Sequence, residues 1–285
     1  MEKLKANGLT FAADICGDGD TVALLLHGFP ECRQTWHRQF ESLAALGWKV
    51  VAPDLRGYGE SDRPRGRRAY RIDCLIDDVT GLFEAAGAKR KILIGHDWGG
   101  MIAWFTALKG VPLDGLVVMN APHPTIFNQA IQTWDQRRRS WYVLFFLLPL
   151  LPELQLTWNK GRGLIAALCR QSANFEPELL ETYRRNILRP GAATAMLNYY
   201  RENAVGLPAP KDGDTPIKVP TLMIWGDGDV ALSPALMDGN ESFVSDFSLV
   251  RLVGASHWVQ QDAPRAVNEA IQNWALRKGL SLETR

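Results

Sequence analysis

Residues 91–108 read KILIGHDWGGMIAWFTAL. An apolar strand pattern, Lys91 to Ile94, runs straight into Gly95-His96-Asp97-Trp98-Gly99 and then into a helical pattern. This is the Gly-x-nucleophile-x-Gly spacing of a sharp strand-to-helix elbow, with aspartate at the centre. Such a turn forces its central residue into a strained backbone conformation, and only small neighbours let it close. The central side chain then stands above the sheet, near a helix N-terminus whose free N–H groups favour negative charge.

An aspartate in that position changes the expected chemistry. Serine would need a base to deprotonate it, whereas a carboxylate is already ionised at pH 7. It can displace a leaving group at an sp3 carbon and form an alkyl-enzyme ester. Hydrolysis of that ester then calls for a water, a general base and an oxyanion hole. No Gly-x-Ser-x-Gly occurs in the chain, which disfavours an ordinary esterase or lipase. A degenerate elbow in a non-catalytic protein is the bland alternative.

Outward from the elbow, short apolar runs alternate with helical patterns. That rhythm predicts an α/β fold with a mainly parallel sheet and helices on both faces. Strands are expected at 22–26, 49–52, 91–94, 115–119, 221–225 and 248–253, and helices at 33–46, 72–86, 99–109 and 264–276. The rhythm breaks after Asn120. From 121 to 218 the chain is rich in Trp, Arg and Leu with helical periodicity, and strand rhythm resumes at Val219. The expected organisation is a core of residues 1–120 and 219–285 interrupted by a helical insertion over 121–218. Residues 207–217, LPAPKDGDTPI, read as the exit linker because Pro and Gly exclude regular structure.

The remaining catalytic parts can be sought at strand ends. His257 lies in GASHW just after the last strand, and histidine titrates where a water-activating base must. It completes the chain order nucleophile, acid, histidine. The orienting acid should follow the strand TLMIW, where Asp227 and Asp229 are both available in GDGD. Asp229 is preferred, and Asp227 beside glycine reads as a turn former. His27-Gly28-Phe29-Pro30 follows the strand VALLL, where this kind of elbow finds its oxyanion hole. The donors expected are the backbone N–H groups of Phe29 and Trp98.

Bulk properties bound the rest. The 285 residues are 46% hydrophobic and 22% charged, ordinary for a globular domain. A formal charge of +1 offers no footprint for nucleic acid. The arginine runs at 63–68 and 137–139 read as solvated faces. Cys16, Cys32, Cys74 and Cys169 have no metal-ligand spacing and read as reduced thiols in a cytoplasmic protein. The start MEKLKANGLTF carries no apolar leader pattern. The longest apolar stretch, WYVLFFLLPLL at 141–151, is too short to span a bilayer and is broken by Pro149. It reads as buried core or pocket lining, with contact to a membrane surface as the alternative.

Five motifs taken together closely resemble the epoxide hydrolases of the α/β-hydrolase superfamily: HGFPE at 27–31, DLRGYGESDRP at 54–64, IGHDWGGMIAW at 94–104, NAPHP at 120–124 and ASHWVQQDAP at 255–264. The resemblance covers nearly the whole chain. It implies the α/β-hydrolase fold with an inserted helical cap, and a cis bond before Pro30. It also implies two cap tyrosines that donate hydrogen bonds to the epoxide oxygen. By position these are Tyr142 in SWY and Tyr200 in NYYR, with the adjacent Tyr199 as the alternative to Tyr200. The activity implied is conversion of an apolar epoxide and water to a 1,2-diol through an ester on Asp97, with no cofactor or metal. Aromatic pocket candidates are Phe29, Trp36, Trp98, Phe127, Trp134, Phe145, Phe146, Trp158 and Trp258. A haloalkane dehalogenase would share Asp97 and Trp98, but Phe29 cannot supply the second halide donor such enzymes often carry. A fluoroacetate dehalogenase would more typically have arginine at 98. A non-catalytic ligand-binding protein on this fold would tolerate missing parts, and none is missing.

Overall fold

The computed structural model describes residues 1–203 and 216–281. A hairpin opens the chain, β1 (Glu2–Ala6) and β2 (Leu9–Cys16). Then come β3 (Thr21–Leu26), α1 (Phe40–Ala44), β4 (Trp48–Pro53), α2 (Ile72–Ala85), β5 (Arg90–His96), α3 (Trp98–Leu108) and β6 (Gly115–Met119). Among the described residues seven α-helices follow before the next strand: α4 (Pro124–Ala130), α5 (Trp134–Arg139), α6 (Trp141–Phe146), α7 (Leu151–Thr157), α8 (Arg162–Gln171), α9 (Pro177–Ile187) and α10 (Ala192–Asn203). The chain closes with β7 (Thr221–Gly226), β8 (Phe247–Leu252), α11 (Val259–Asp262) and α12 (Pro264–Arg277).

The eight strands form one sheet in the order β1-β2-β4-β3-β5-β6-β7-β8. Pairing is antiparallel through β1, β2 and β4 and parallel from there to β8. The central strands are buried on both faces, so they are apolar throughout. Their two-residue period sorts side chains into two layers. Val22, Leu24, Leu26, Leu93, Leu116, Val118, Met223 and Trp225 join α2 and α3 in one cluster. Ala23, Leu25, Ile92, Ile94, Val117, Met119, Leu222 and Ile224 join α1 and α12 in the other.

The initial hairpin was not expected from the sequence. Its signal is Asn7-Gly8, two residues with φ of 48° and 71°, which is the turn chemistry of a two-residue hairpin. The helix expected over 33–46 is a correction. It is a single 3-10 turn at Arg33–Trp36 followed by the short α1. Tertiary bonds of the polar residues account for the break: Arg33 is tied to Asp54, and the Gln39 amide donates to the Gln260 carbonyl. The apolar stretch 141–151 is pocket lining as far as Leu147, as expected, and departs from that reading only beyond it. Leu150 at φ 65° separates α6 from α7, so two short helices each bury one face. Phe146 is buried, whereas Trp141, Leu144, Leu148, Leu150 and Leu151 are exposed. Of the expected linker, residues 207–215 lie outside the described residues. Among the described residues no helix is long and apolar enough to cross a membrane.

The last of the described helices between β6 and β7, α10, is fastened to the connection between β4 and α2 by buried polar contacts. The Tyr199 hydroxyl donates to the Arg56 carbonyl at 2.9 Å, and Asn203 Nδ2 donates to the Tyr70 carbonyl at 2.8 Å. Arg56 is in turn held by a buried, forked ion pair with Asp78 of α2. Removing one partner leaves the other charge buried and uncompensated. Asp78→Ala is therefore expected to cost about 3 kcal/mol of stability, read as a lowered midpoint in denaturant titration. An unchanged midpoint would show that Arg56 finds water without penalty.

Candidate active site

β5 ends at His96 and α3 begins at Trp98, so Asp97 is the whole turn. Its backbone sits at φ 51° and ψ −119°, a region that side-chain-bearing residues avoid. The turn is tight enough that a Cβ on Gly95 would lie 2.2 Å from the Gly99 carbonyl oxygen. Gly28 in the facing loop is required for the same reason, since its Cβ would lie 2.4 Å from Asp97 Cβ. That absence of a side chain lets the Phe29 N–H donate to Asp97 Oδ1 at 2.8 Å. The Phe29–Pro30 peptide is cis.

The other carboxylate oxygen, Oδ2, faces His257 Nε2 at 3.4 Å. On the far side of the ring, Nδ1 donates to Asp229 Oδ2 at 2.6 Å. Asp229 is buried and fully partnered: Asn120 Nδ2 donates to Oδ2 at 2.7 Å, and the N–H groups of Ala231 and Leu232 donate to Oδ1 at 2.8 and 2.9 Å. Asp227 is elsewhere, accepting from Arg251 and from the Gly254 N–H, as a turn residue does. His257, Asp97 and Asp229 thus form one line of three charges.

Burial sets the electrostatics and the charges answer it. Burial alone would push the Asp97 carboxyl up, but its His257 contact, His96 and the Phe29 N–H outweigh it and hold it below the usual carboxylate range. Burial likewise opposes ionisation of Asp229, and His257, Asn120 and the Leu232 N–H reverse it. For His257, burial disfavours the imidazolium, yet Asp229 first and Asp97 second raise it well above the ordinary histidine value. The Tyr142 and Tyr200 phenols are raised, by burial and then by the Asp97 charge, so both remain O–H donors near neutrality.

Two cavities meet at this point. One of about 870 Å³ and one of about 540 Å³ both carry Asp97, Trp141, Tyr142 and Tyr200 in their walls. The tyrosine rings stand 6.3 Å apart, edge to face, with Tyr200 also edge-on to Trp98 and Phe29. Tyr199 points away, its hydroxyl spent on Arg56. Trp98, Phe127 and Trp134 line the larger cavity, and Phe29, Phe145, Phe146 and Trp258 the smaller. Trp36 is a correction: it lies in neither wall and is wholly buried in the α1/α12 layer, because its 3-10 turn packs beneath the sheet. Trp158 lines neither cavity and is 74% exposed.

Several residues of the site carried no assigned role in the sequence reading. Glu31 is buried, accepting from the Gly28 N–H at 2.9 Å, from Thr35 Oγ1 and from Gln260 Nε2 at 2.8 Å. His96 lies between Glu31 Oε2 and the His257 carbonyl, 2.8 Å from each. One buried pair therefore ties the loop after β3, the elbow and the backbone of His257 together. Asn120, at φ 42°, fixes Asp229 to β7 by also accepting from the Gly226 N–H at 3.0 Å. Arg139 departs from the solvated reading, its guanidinium donating to the Asp229 carbonyl at 3.2 Å. The motif positions of Glu31, His96 and Asn120 were visible, but nothing in a linear pattern announces a tertiary hydrogen bond. Among the described residues no cluster of ligating side chains could hold a metal ion.

Comparison with known proteins agrees with this fold. Residues 22–264 match the family model described as the alpha/beta hydrolase fold. Epoxide hydrolase 4 of Mus musculus is 36% identical over 97% of this chain and 78% of its own length. The AB hydrolase superfamily protein YfhM of Bacillus subtilis is 38% identical over 94% of this chain and 95% of its own. A solved structure described as one of the novel epoxide hydrolases from metagenomes of hot environments superposes with a TM-score of 0.85 at 33% identity, covering 96% of this chain and 97% of that one. The chain belongs to the α/β-hydrolase fold family and, within it, to the epoxide hydrolases.

The line of charges has a measurable consequence. Asp97→Asn removes one of the two carboxylates that raise His257, so the imidazole should titrate at lower pH in the variant than in the wild type. An NMR titration of the ring nitrogens reads this directly, and an unchanged midpoint would mean Asp97 does not act on His257.

Proposed function

We propose that the protein hydrolyses an apolar epoxide to a 1,2-diol by way of a covalent ester on Asp97. In this reading residues 1–120 and 219–285 are the catalytic core and 121–218 a cap over it. The observation that carries the reading is the placement of two protonated phenols, Tyr142 and Tyr200, in the same cavity walls as an ionised Asp97. An epoxide needs a nucleophile at carbon and a hydrogen-bond donor at oxygen at the same moment, and this pair of groups supplies both.

The ring oxygen is held by the two phenols. Asp97 Oδ2 attacks a ring carbon as the carbon–oxygen bond breaks, and the electron pair passes to the oxygen, stabilised by the phenol protons. Oδ1 becomes the ester carbonyl oxygen, already seated on the Phe29 N–H. Esterification removes the Asp97 charge and with it one support of the His257 imidazolium, so the ring can give its proton to the new alkoxide by way of the phenols and, now neutral, act as a base. His257, oriented by Asp229, takes a proton from water as that water attacks Asp97 Cγ. The oxyanion forms against the Phe29 and Trp98 amides; as it collapses the diol oxygen leaves with the proton that His257 took from water, and the new carboxylic acid returns a proton to the imidazole, restoring the carboxylate and the imidazolium.

Displacement of halide would also use Asp97, but the Phe29 side chain offers no donor, and phenols flanking the acid serve an oxygen leaving group better. The test is a paired assay: diol from styrene oxide, and halide from 1-bromobutane. Diol without halide is expected, and halide without diol would transfer the enzyme to the dehalogenases.

Variants separate the steps. Asp97→Ala should abolish turnover with the fold intact by circular dichroism. His257→Gln should allow ring opening and then stall, giving a protein mass raised by that of the intact substrate; no adduct would speak against the ester. Tyr142→Phe and Tyr200→Phe should each slow ring opening by about 10²-fold, the typical cost of one lost oxyanion donor. Full activity in both would remove the phenols from the mechanism.

A further inference from the structure

The segment from Trp134 to Trp158 leaves much apolar surface in water. Trp134, Trp141 and Trp158 are 80%, 62% and 74% exposed, and Leu144, Leu150 and Leu154 are 71%, 73% and 61%. Solvent normally tolerates single exposed apolar side chains; a concentration of them marks an interaction surface. Three of them, Trp134, Trp141 and Leu144, also line the larger cavity, so the exposed surface continues into the substrate space.

Charge selects the partner. Between residues 134 and 170 stand six cations, Arg137, Arg138, Arg139, Lys160, Arg162 and Arg170, against two carboxylates, Asp135 and Glu153. The whole chain carries a formal charge of only +1, so the excess is local. Five of the six cations are exposed, Arg139 alone being partly covered. A symmetric contact with a second copy would set these cations against themselves. Arg137 and Arg138 share the larger cavity's walls with Trp134, Trp141 and Leu144, and Lys160 and Arg162 follow Trp158 in the chain, a combination that suits a different surface, the interface of a bilayer with anionic headgroups.

We propose that this helical face docks on anionic membranes, with α6 and α7 dipping into the headgroup region and the mouth of the larger cavity facing the lipid. An apolar substrate dissolved in the bilayer would then enter without crossing water. The proposal stands on the surface alone and does not depend on which groups react.

The experiment is vesicle flotation of the purified protein with phosphatidylcholine alone and with phosphatidylcholine containing phosphatidylglycerol. Flotation with the anionic vesicles, weakened by salt, is expected. Leu151→Ser/Leu154→Ser/Trp158→Ser, at positions outside both cavities, should lower the partition coefficient about tenfold or more, as loss of buried apolar area requires, while hydrolysis of a water-soluble epoxide is unchanged. Lys160→Glu/Arg162→Glu should weaken binding to anionic vesicles only, which keeps the test open should the triple variant fold poorly. No flotation of the wild type would overturn the proposal, as would full flotation of both variants. A concentration-dependent dimer in light scattering that disappears in the triple variant, without flotation, would assign the face to a second copy instead.

Discussion

A buried imidazole held between two carboxylates is the interaction on which the rest of the site depends. Burial works against the charge on all three groups; His257 pulls Asp97 and Asp229 below the usual carboxylate range, and the two carboxylates raise His257 in return. Three charges in line leave one net negative charge, and Asp97 presents it in the walls of both cavities. The surrounding structure keeps this line straight. Asn120 and two backbone N–H groups clamp one end, and the strained turn at Asp97 with the Phe29 N–H clamps the other. The Glu31–His96 pair holds the middle by its grip on the His257 carbonyl.

The sheet explains why residues so distant in sequence meet. β3, β5, β6 and β7 are adjacent and parallel, so their carboxyl ends lie side by side. The loops leaving those ends carry Phe29, Asp97, Asn120 and Asp229, and the loop after β8 carries His257. The helices between β6 and β7 bring Tyr142 and Tyr200 over the same edge, with Tyr199 anchoring α10 so that its neighbour faces the cavity. The meeting of these residues is therefore a consequence of strand order, and the cavity walls are a consequence of where the helices between β6 and β7 leave the sheet.

The sequence was most legible where local rules and burial coincide. The parallel strands were readable because a strand covered on both faces must be apolar along its length; the run 115–119 coincides with β6 at both ends. The elbow was readable because few residue combinations can make such a turn. The hairpin β1–β2 was missed because its strands lie at the sheet's antiparallel side and mix polar with apolar residues; only Asn7-Gly8 signalled it. The 33–46 helix was overcalled because periodicity does not register that Arg33 and Gln39 are bound to distant partners. Trp36 shows the limit for cavities. An aromatic near a motif is equally suited to core and pocket, and only packing decides between them.

The central claim is that the oxygen delivered to the substrate comes from Asp97 and not from water. A single turnover with enzyme in excess over styrene oxide, run in ¹⁸O-labelled water and analysed by mass spectrometry of both diol and the peptide holding Asp97, tests it most directly. The ester mechanism predicts label in the Asp97 carboxylate and none in the diol of that first turnover. Label in the diol with an unlabelled Asp97 would mean that water attacks the epoxide directly, and would contradict the account.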